Sequence, residues 1–142
     1  ALRKNLEFSE MKKILLVDDD KDLSQNLETV LKAKGYAVAV AHSGAEGLKK
    51  VLTEKPDAIV LDVSMETDTA GFEFAYQIRS QRETSRYKAM RDTPIVLLTA
   101  INQVTNHRFS LNDKDSFLPD INAMLTKPVQ IDVLLSKLQE LT

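Results

Sequence analysis

Four short apolar runs along the chain each end at a polar or charged residue. The first run is followed by three consecutive aspartates, and the others end at Asp62, at Thr99 and shortly before Lys127. A run of branched apolar residues bounded by charge is typical of a strand buried on both faces of a parallel sheet. The four runs are Ile14–Val17, Ala58–Leu61, Ile95–Leu98 and Ile121–Leu125. Because the carboxyl ends of parallel strands meet at one edge, we expect the residues after them to lie close together.

The segments between these runs carry apolar residues at helical spacing. Leu23, Leu27 and Leu31 share one face of a predicted helix that ends near residue 34, since Gly35 suits a left-handed stop. Apolar residues at the same spacing predict helices after Ser43, after Gly71 and at the carboxyl end of the chain. Residues 36–41 are predicted to form a short strand. Strands that alternate with helices predict an α/β fold, a doubly wound parallel sheet with helices on both faces.

Composition and charge limit the classes of function. A chain of 142 residues fits one domain, and its net charge of -2 argues against nucleic acid or an anionic membrane as the main partner. The absence of cysteine excludes a disulfide framework and a thiolate site. No apolar run approaches the roughly 20 residues that span a bilayer, so we expect a cytoplasmic protein. Met11 resembles a natural start, which makes residues 1–10 an N-terminal extension and residues 11–142 the domain.

Three carboxylates at the predicted sheet edge indicate a metal site. Carboxylates about 5 Å apart repel one another by roughly 3 kcal/mol per pair at an effective dielectric near 20. A Mg²⁺ ion removes that penalty, and it prefers one or two carboxylates, a carbonyl, waters and a phosphate oxygen. With the metal in place a carboxylate can attack a phosphoryl donor and become an acyl phosphate. Lys127 would neutralise one phosphate oxygen and the Thr99 hydroxyl would donate to another.

Each of these residues also has an ordinary structural explanation. An aspartate cluster after a strand often caps a helix, a threonine often ends a strand, and a single lysine usually lies at the surface. His42 and His107 have no carboxylate partner at a metal-ligand spacing. The basic residues between the third helix and the fourth strand are diluted by acids and are typical of a solvated loop; they are Arg79, Arg82, Arg86, Lys88 and Arg91. The functional reading depends on complementary groups at four separate strand ends.

The order and spacing of these motifs resemble the receiver domain of two-component response regulators over about residues 11–142. The resemblance rests on Asp18-Asp19 after the first strand, Asp62 after the third, Thr99-Ala100 and Lys127-Pro128. It implies a flavodoxin-like strand order 2-1-3-4-5 and a cis bond before Pro128. It further implies that the protein is a signalling switch rather than a metabolic enzyme, catalysing only its own phosphorylation and dephosphorylation.

The resemblance also implies the roles of the site residues. Asp62 would be the phosphoacceptor, and Thr99, Ala100 and Lys127 would surround the phosphoryl group. The implied Mg²⁺ ligands are the carboxylates of Asp18, Asp19 and Asp62 and the carbonyl of Ser64. The phosphoryl donor would be a histidine kinase or a phosphotransfer protein. The downstream target is not implied, and homodimerisation is an open alternative.

Several positions depart from the family's usual pattern. Glu66 replaces a proline commonly found four residues after the acceptor, and Gly71 comes one residue later than usual. Met124 replaces an aromatic residue that is usually coupled to the threonine, which a thioether cannot imitate. Residues 117–119, Phe-Leu-Pro, replace an expected Gly-Ala pair in a region that usually forms the output face. Ile101 is apolar where relatives orient water, so we expect slow hydrolysis of the acyl phosphate.

Two other functions compete with a phosphoacceptor switch. The first is a phosphatase of the haloacid dehalogenase type, with Asp18 as nucleophile and Asp20 as acid and base. That reading leaves Asp62 without a role, and no paired aspartate closely follows Lys127. The second is a degenerate receiver that acts only as a docking module, which the complete set of acceptor, metal and lysine positions disfavours.

Overall fold

The computed structural model describes residues 11–100 and 120–142. The strands within these residues are β1 (Lys13–Val17), β2 (Ala37–Ala41), β3 (Ala58–Asp62), β4 (Ile95–Ala100) and β5 (Ala123–Lys127). The helices are α1 (Lys21–Ala33), α2 (Gly44–Glu54), α3 (Ala70–Arg79) and α4 (Ile131–Leu141), with a 3₁₀ turn at Lys88–Met90. None of the helices in this part of the chain is long and apolar enough to span a bilayer.

The five strands form one parallel sheet in the order β2-β1-β3-β4-β5. This confirms the predicted α/β class and the strand order that the resemblance implied. The start of β5 was predicted two residues too early, at Ile121. Thr126 and Lys127 are part of this strand, and Ala100 pairs with Lys127 in the ladder. Because β5 is an edge strand with only one fully buried residue, an apolar run could not show its limits.

Helices cover both faces of the sheet, as predicted. On one face β1, β3 and β4 pack against α2 and α3, through residues that include Val51, Phe74 and Ile78. On the other face the same strands pack against α1 and α4, through Leu27, Leu31, Leu134 and Leu138. The central strands are therefore buried on both sides, which explains their nearly continuous apolar sequences.

The helix termini follow the local sequence signals. Gly35 has a φ of 95°, the left-handed conformation expected after α1. Ser43 caps α2, and its hydroxyl accepts a hydrogen bond from the Glu46 N–H at 3.1 Å. The Glu46 carboxylate accepts from the His42 N–H instead of returning to Ser43, so the capping box forms in part.

The connection after α3 is an ordered segment held by two arginines. Arg79 donates to the carbonyl oxygens of Arg91 and Thr93, both at 2.7 Å, and Arg91 Nε donates to the carbonyl of Ser80 at 2.7 Å. The interpretation of all five basic residues as solvated was wrong for these two, because their guanidinium groups replace water as the partners of loop carbonyls. The exposed members of the group are Arg82, Arg86 and Lys88.

Candidate functional site

The carboxylates of Asp18, Asp19 and Asp62 meet at the carboxyl edge of the sheet. Val17 and Leu61 are paired in the ladder between β1 and β3. The residues that follow them, Asp18 and Asp62, therefore lie side by side. One carboxylate oxygen from each of the three aspartates lies within 4.8 Å of the other two. The predicted convergence of acids from two separate strands is therefore present.

Lys127 completes this group from the edge strand. Its Nζ lies 3.2 Å from Asp18 Oδ2 and 3.3 Å from Asp62 Oδ1. The lysine lies at the end of β5, two strands away from β3. Only its long side chain allows one ammonium group to contact both carboxylates.

Burial gives the site unusual electrostatics. Asp18 and Asp62 are 3% and 4% exposed, whereas Asp19 is exposed. Burial and then the charge of Asp18 raise the pKa of Asp62 to about 6, although Lys127 acts in the opposite direction. Burial disfavours the charged form of Lys127, but Asp18 and Asp62 outweigh this effect and raise its pKa above the usual value. The lysine is therefore a permanent cation at neutral pH.

One oxygen of Asp18 is placed to accept a cation as a further partner. Asp18 Oδ1 accepts a hydrogen bond from the Asp20 N–H at 2.9 Å. Asp18 Oδ2 is buried and close to Lys127 Nζ, but no group in the described residues donates a hydrogen bond to it. This oxygen has only the Lys127 ammonium beside it, and a hard divalent ion with oxygen ligands would supply a further partner. The residues present thus suit Mg²⁺.

Asp20 has a different role from the other acids. Its side chain accepts a hydrogen bond from the Leu23 N–H at 3.0 Å and caps α1. It does not belong to the group of carboxylates that could share an ion. The ordinary explanation of an aspartate after a strand therefore holds for this one residue of the triplet.

Two polar residues to which the sequence analysis gave no role in the site support the backbone of Asp18. Ser24 is 1% exposed, and its hydroxyl lies 3.3 Å from the Asp18 carbonyl oxygen and 2.8 Å from that of Asp20. His42 Nδ1 lies 3.1 Å from the same Asp18 carbonyl. The spacing of Ser24 from Asp20, four residues, is the local signal that could have identified it.

The remaining predicted site residues lie at the same edge of the sheet. Thr99 is fully buried near the end of β4, one residue beyond the partner of Asp62 in the ladder, and Ala100 ends that strand. Ser64 follows β3 by two residues, and its hydroxyl donates to the Asp68 carbonyl at 3.3 Å. The bond between Lys127 and Pro128 is cis, as the resemblance implied.

Gly71 lies against the backbone at the end of β3. Its N–H donates to the Val63 carbonyl at 2.8 Å, and a Cβ atom at this position would lie 2.2 Å from the Asp62 carbonyl oxygen. No side chain fits at that distance, so α3 can begin this close to Asp62 only with glycine. The sequence indicated a helix start at Gly71 and missed this contact.

Of the other departures from the family pattern, Met124 lies within the described residues. Met124 is partly buried and packs against the core on the α2 and α3 face. Ile101, His107 and residues 117–119 lie outside the described residues, so the expectations that concern them stay predictions.

The sequence model of the family described as response regulator receiver domain matches residues 14–139. The chain belongs to this family. Receiver-domain membership sets aside the haloacid dehalogenase reading, which also needed Asp20 as an acid and base rather than as a helix cap. The chain is therefore a response regulator receiver domain of a two-component system.

Individual relatives agree with this assignment. Response regulator MprA of Mycobacterium ulcerans is 35% identical over 130 residues, which are 91% of this chain and 49% of that protein. The receiver-domain chain therefore spans about half the length of this curated relative. Among solved structures, chemotaxis response regulator CheY4 of Vibrio cholerae has a TM-score of 0.71 and 32% identity, with 93% of this chain and 99% of that chain covered.

A third relative was solved with ligands. Response regulator protein TrrA of Thermotoga maritima has a TM-score of 0.70 and 31% identity, and the match covers 93% of this chain and 100% of that chain. Its structure is described as a complex with Mg(2+)-BeF. The same two ligands, Mg²⁺ and beryllofluoride, can be used to test binding at the acidic site of the present chain.

Proposed function

We propose that this receiver domain accepts a phosphoryl group on Asp62 from a histidine kinase or a phosphotransfer protein. The reaction depends on Mg²⁺, and the product is an aspartyl phosphate. The protein then changes conformation to control a partner. It acts as a cytoplasmic signalling switch, and its only catalysis is its own phosphorylation and dephosphorylation.

The observation that carries this proposal is the environment of Asp62. A buried carboxylate lies 3.3 Å from a lysine ammonium and within 4.8 Å of two further carboxylates, one of which has an oxygen without a hydrogen-bond donor. Burying this much negative charge is unfavourable in a merely structural site. The arrangement becomes favourable when a divalent cation and a phosphoryl group occupy it.

Different residues would bind the metal, attack phosphorus and contact the phosphoryl oxygens. Asp18, Asp19 and Asp62 would hold the metal through their carboxylates, with Ser64 through its carbonyl. When bound, Mg²⁺ neutralises phosphoryl oxygens. An Asp62 carboxylate oxygen forms the bond to phosphorus while the bond from phosphorus to the donor's imidazole nitrogen breaks, and the donor leaves as histidine. Lys127 balances the charge of a second phosphoryl oxygen, and the Thr99 hydroxyl donates to a third beside Ala100.

The protonation states suit this chemistry at neutral pH. With its pKa raised to about 6, Asp62 is mostly a carboxylate at pH 7.5 and more basic than an ordinary aspartate. Lys127 stays protonated because its pKa is raised. The nucleophile and the cation that receives the phosphoryl oxygen are thus both in the required state.

The test is phosphorylation by acetyl phosphate and Mg²⁺, followed by Phos-tag mobility. We expect the wild type to shift and Asp62→Asn to show no shift. Asp68→Asn is the matched control, because Asp68 is an exposed carboxylate in the loop after β3, and it should shift like the wild type. A shift that persists in Asp62→Asn, or its absence in the wild type, would contradict the proposal.

Two further measurements separate the competing functions. Trapping the acyl phosphate and locating it by mass spectrometry should place the label on Asp62, whereas the phosphatase reading requires Asp18. A docking module without chemistry should fail to bind Mg²⁺ with beryllofluoride at millimolar concentration. We expect binding, as in the described complex of the TrrA relative.

A further inference from the structure

Glu66 joins the loop after β3 to a different helix. Its Oε1 accepts a hydrogen bond from the Gly44 N–H at 2.8 Å, and its Oε2 accepts from the Ala45 N–H at 3.3 Å. Gly44 and Ala45 are the first two residues of α2, where backbone N–H groups have no partner within the helix. A carboxylate is a favourable partner there, because it also interacts with the positive end of the helix dipole.

The two caps of α2 do not duplicate each other. The Ser43 hydroxyl accepts from the Glu46 N–H, two residues further along the helix than Gly44. Glu66 therefore supplies acceptors to donors that the local cap leaves open. The hydrogen bonds to Gly44 and Ala45 lower the pKa of Glu66, so the side chain is a carboxylate at neutral pH.

The loop that Glu66 anchors is the one that carries the acceptor chemistry. It begins directly after Asp62 and contains Ser64, the proposed carbonyl ligand of the metal. Two contacts beside Glu66 stay within this loop: the Met65 N–H donates to the Thr67 carbonyl at 3.0 Å, and the Ser64 hydroxyl donates to the Asp68 carbonyl. Glu66 differs because it connects the loop to α2, which packs on the sheet through β1 and β2.

We propose that Glu66 is a positioning residue for the metal and acceptor site. By holding the loop against the start of α2, it fixes the backbone at Ser64 in the orientation that the ion requires. This inference rests on the proposed function, since it concerns the same site. A proline at this position would restrict the loop through its own backbone ring; Glu66 restricts it through two hydrogen bonds instead.

The main experiment measures Mg²⁺ affinity by isothermal titration calorimetry for the wild type and Glu66→Ala. We expect Glu66→Ala to bind Mg²⁺ about tenfold more weakly, the lower end of the loss found when a residue that supports a metal ligand is removed. At saturating Mg²⁺ the phosphorylation rate with acetyl phosphate should return to within about twofold of the wild type, since the acceptor itself is intact. Glu66→Gln keeps one acceptor oxygen and should restore part of the affinity.

A second variant removes the same contact from the helix side. Gly44→Pro lacks the N–H that donates to Glu66 and suits the first position of a helix. Ser43 before it has φ -153° and ψ 162°, the extended conformation that a residue before proline prefers. We expect Gly44→Pro to weaken Mg²⁺ binding as Glu66→Ala does, and the double variant to be no weaker than either single variant.

The control for charge is Asp68→Ala. It removes one negative charge from the same loop, and Asp68 takes part in the described hydrogen bonds only through its backbone carbonyl. We expect Mg²⁺ affinity within about twofold of the wild type. An equal loss in Asp68→Ala and Glu66→Ala would show that loop charge, not position, matters, and would overturn the inference.

The remaining outcomes are also decisive. Wild-type Mg²⁺ affinity in Glu66→Ala together with a lowered melting temperature would mean that Glu66 only caps α2. Multiplicative losses in the double variant would mean that the two residues affect Mg²⁺ binding independently of their contact. Either result overturns the positioning role while leaving the phosphoacceptor proposal intact. A wild-type protein that binds no Mg²⁺ and accepts no phosphoryl group would instead overturn the proposed function itself.

Discussion

Two partly buried charged groups among the described residues differ in how completely their hydrogen bonds are made. Near the amino ends of β4 and β5, Arg79 donates to the carbonyls of Arg91, Thr93 and Asp120 and to Asn122 Oδ1, at distances from 2.7 to 3.1 Å. At the carboxyl ends, Asp18 Oδ2 faces the Lys127 ammonium at 3.2 Å but accepts no hydrogen bond of good geometry from the described residues. The Arg79 group is a completed network, whereas the acidic site is incomplete.

This difference separates a structural role from a chemical one. Arg79 is half-buried, and burial lowers its pKa although nearby acids oppose the change, yet its hydrogen bonds to carbonyls hold the loop after α3 without any ligand. The acidic site instead raises the pKa of Asp62, which is a cost in the free protein. Unfavourable arrangements of this kind are characteristic of functional sites, because binding relieves them.

The largest expected effect comes from breaking the Arg79 network. Arg79→Met should lower the free energy of unfolding by about 2–4 kcal/mol, because two partly buried carbonyl groups and two exposed oxygens lose their donor. Urea denaturation measures this change. Arg86→Met is the matched control, an exposed arginine in the same connection, and should change stability by less than about 0.5 kcal/mol. Mg²⁺ affinity should be unchanged in both variants.

Removing a charge at the acidic site should raise the free energy of unfolding, whereas Arg79→Met lowers it. Without metal at pH 7.5, Asp62→Asn should raise the free energy of unfolding by about 1–2 kcal/mol, since it eases the crowding of Asp18, Asp19 and Asp62 although Lys127 loses one partner. Thermal and urea denaturation in EDTA measure this change. A destabilised Asp62→Asn would show that the carboxylate is favourable in the free protein, as Arg79 is.

The pH dependence of this difference follows from the pKa of Asp62. The folded protein holds the Asp62 proton up to a pKa of about 6, while the unfolded chain releases it near 3.8. The folded state therefore binds more protons in this window, and the contribution of Asp62 to stability is lost as pH rises from about 4 to about 6. The stability advantage of Asp62→Asn should grow over that window and stay constant above it.

Binding of Mg²⁺ should offset the unfavourable charge of the acidic site and so raise the stability of the folded protein. At a free concentration ten times its Kd, Mg²⁺ should stabilise the wild type by about 1.4 kcal/mol, because it binds the folded state. The melting temperature with and without Mg²⁺ measures this shift. Asp62→Asn should show a smaller rise, and Arg79→Met should show the same rise as the wild type from a lower starting value. Equal rises in wild type and Asp62→Asn would separate Asp62 from the ion.

The smallest effect is expected at Asp20, which is acidic yet structural. Asp20→Ala should cost about 1 kcal/mol, the usual loss of a helix cap, and Asp20→Asn should retain most of the stability. Urea denaturation measures both. Phosphorylation by acetyl phosphate should persist in each variant, and its loss in Asp20→Asn would place this carboxylate in the chemistry after all.

The sequence predicted a contact correctly where the type of a residue and its position in a strand were enough to place it. The acids after β1 and β3 and the lysine on β5 could be placed together because parallel strands end at a common edge. The role of Arg79 could not, since its partners lie 12 to 43 residues away in the chain and are mostly backbone groups. The contact of Gly71 with Asp62 depends in the same way on how α3 packs.

The strands that carry the site residues differ in how far the helices cover them. Asp18 and Asp62 extend from interior strands that are covered by helices above and below, so their backbone is confined. Lys127 extends from a border strand, and a quarter of its side chain is open to solvent. In the proposed phosphoryl transfer, the incoming group would meet two acids on confined backbone and one lysine at the open edge, so Lys127 is the contact with the most room to move toward it.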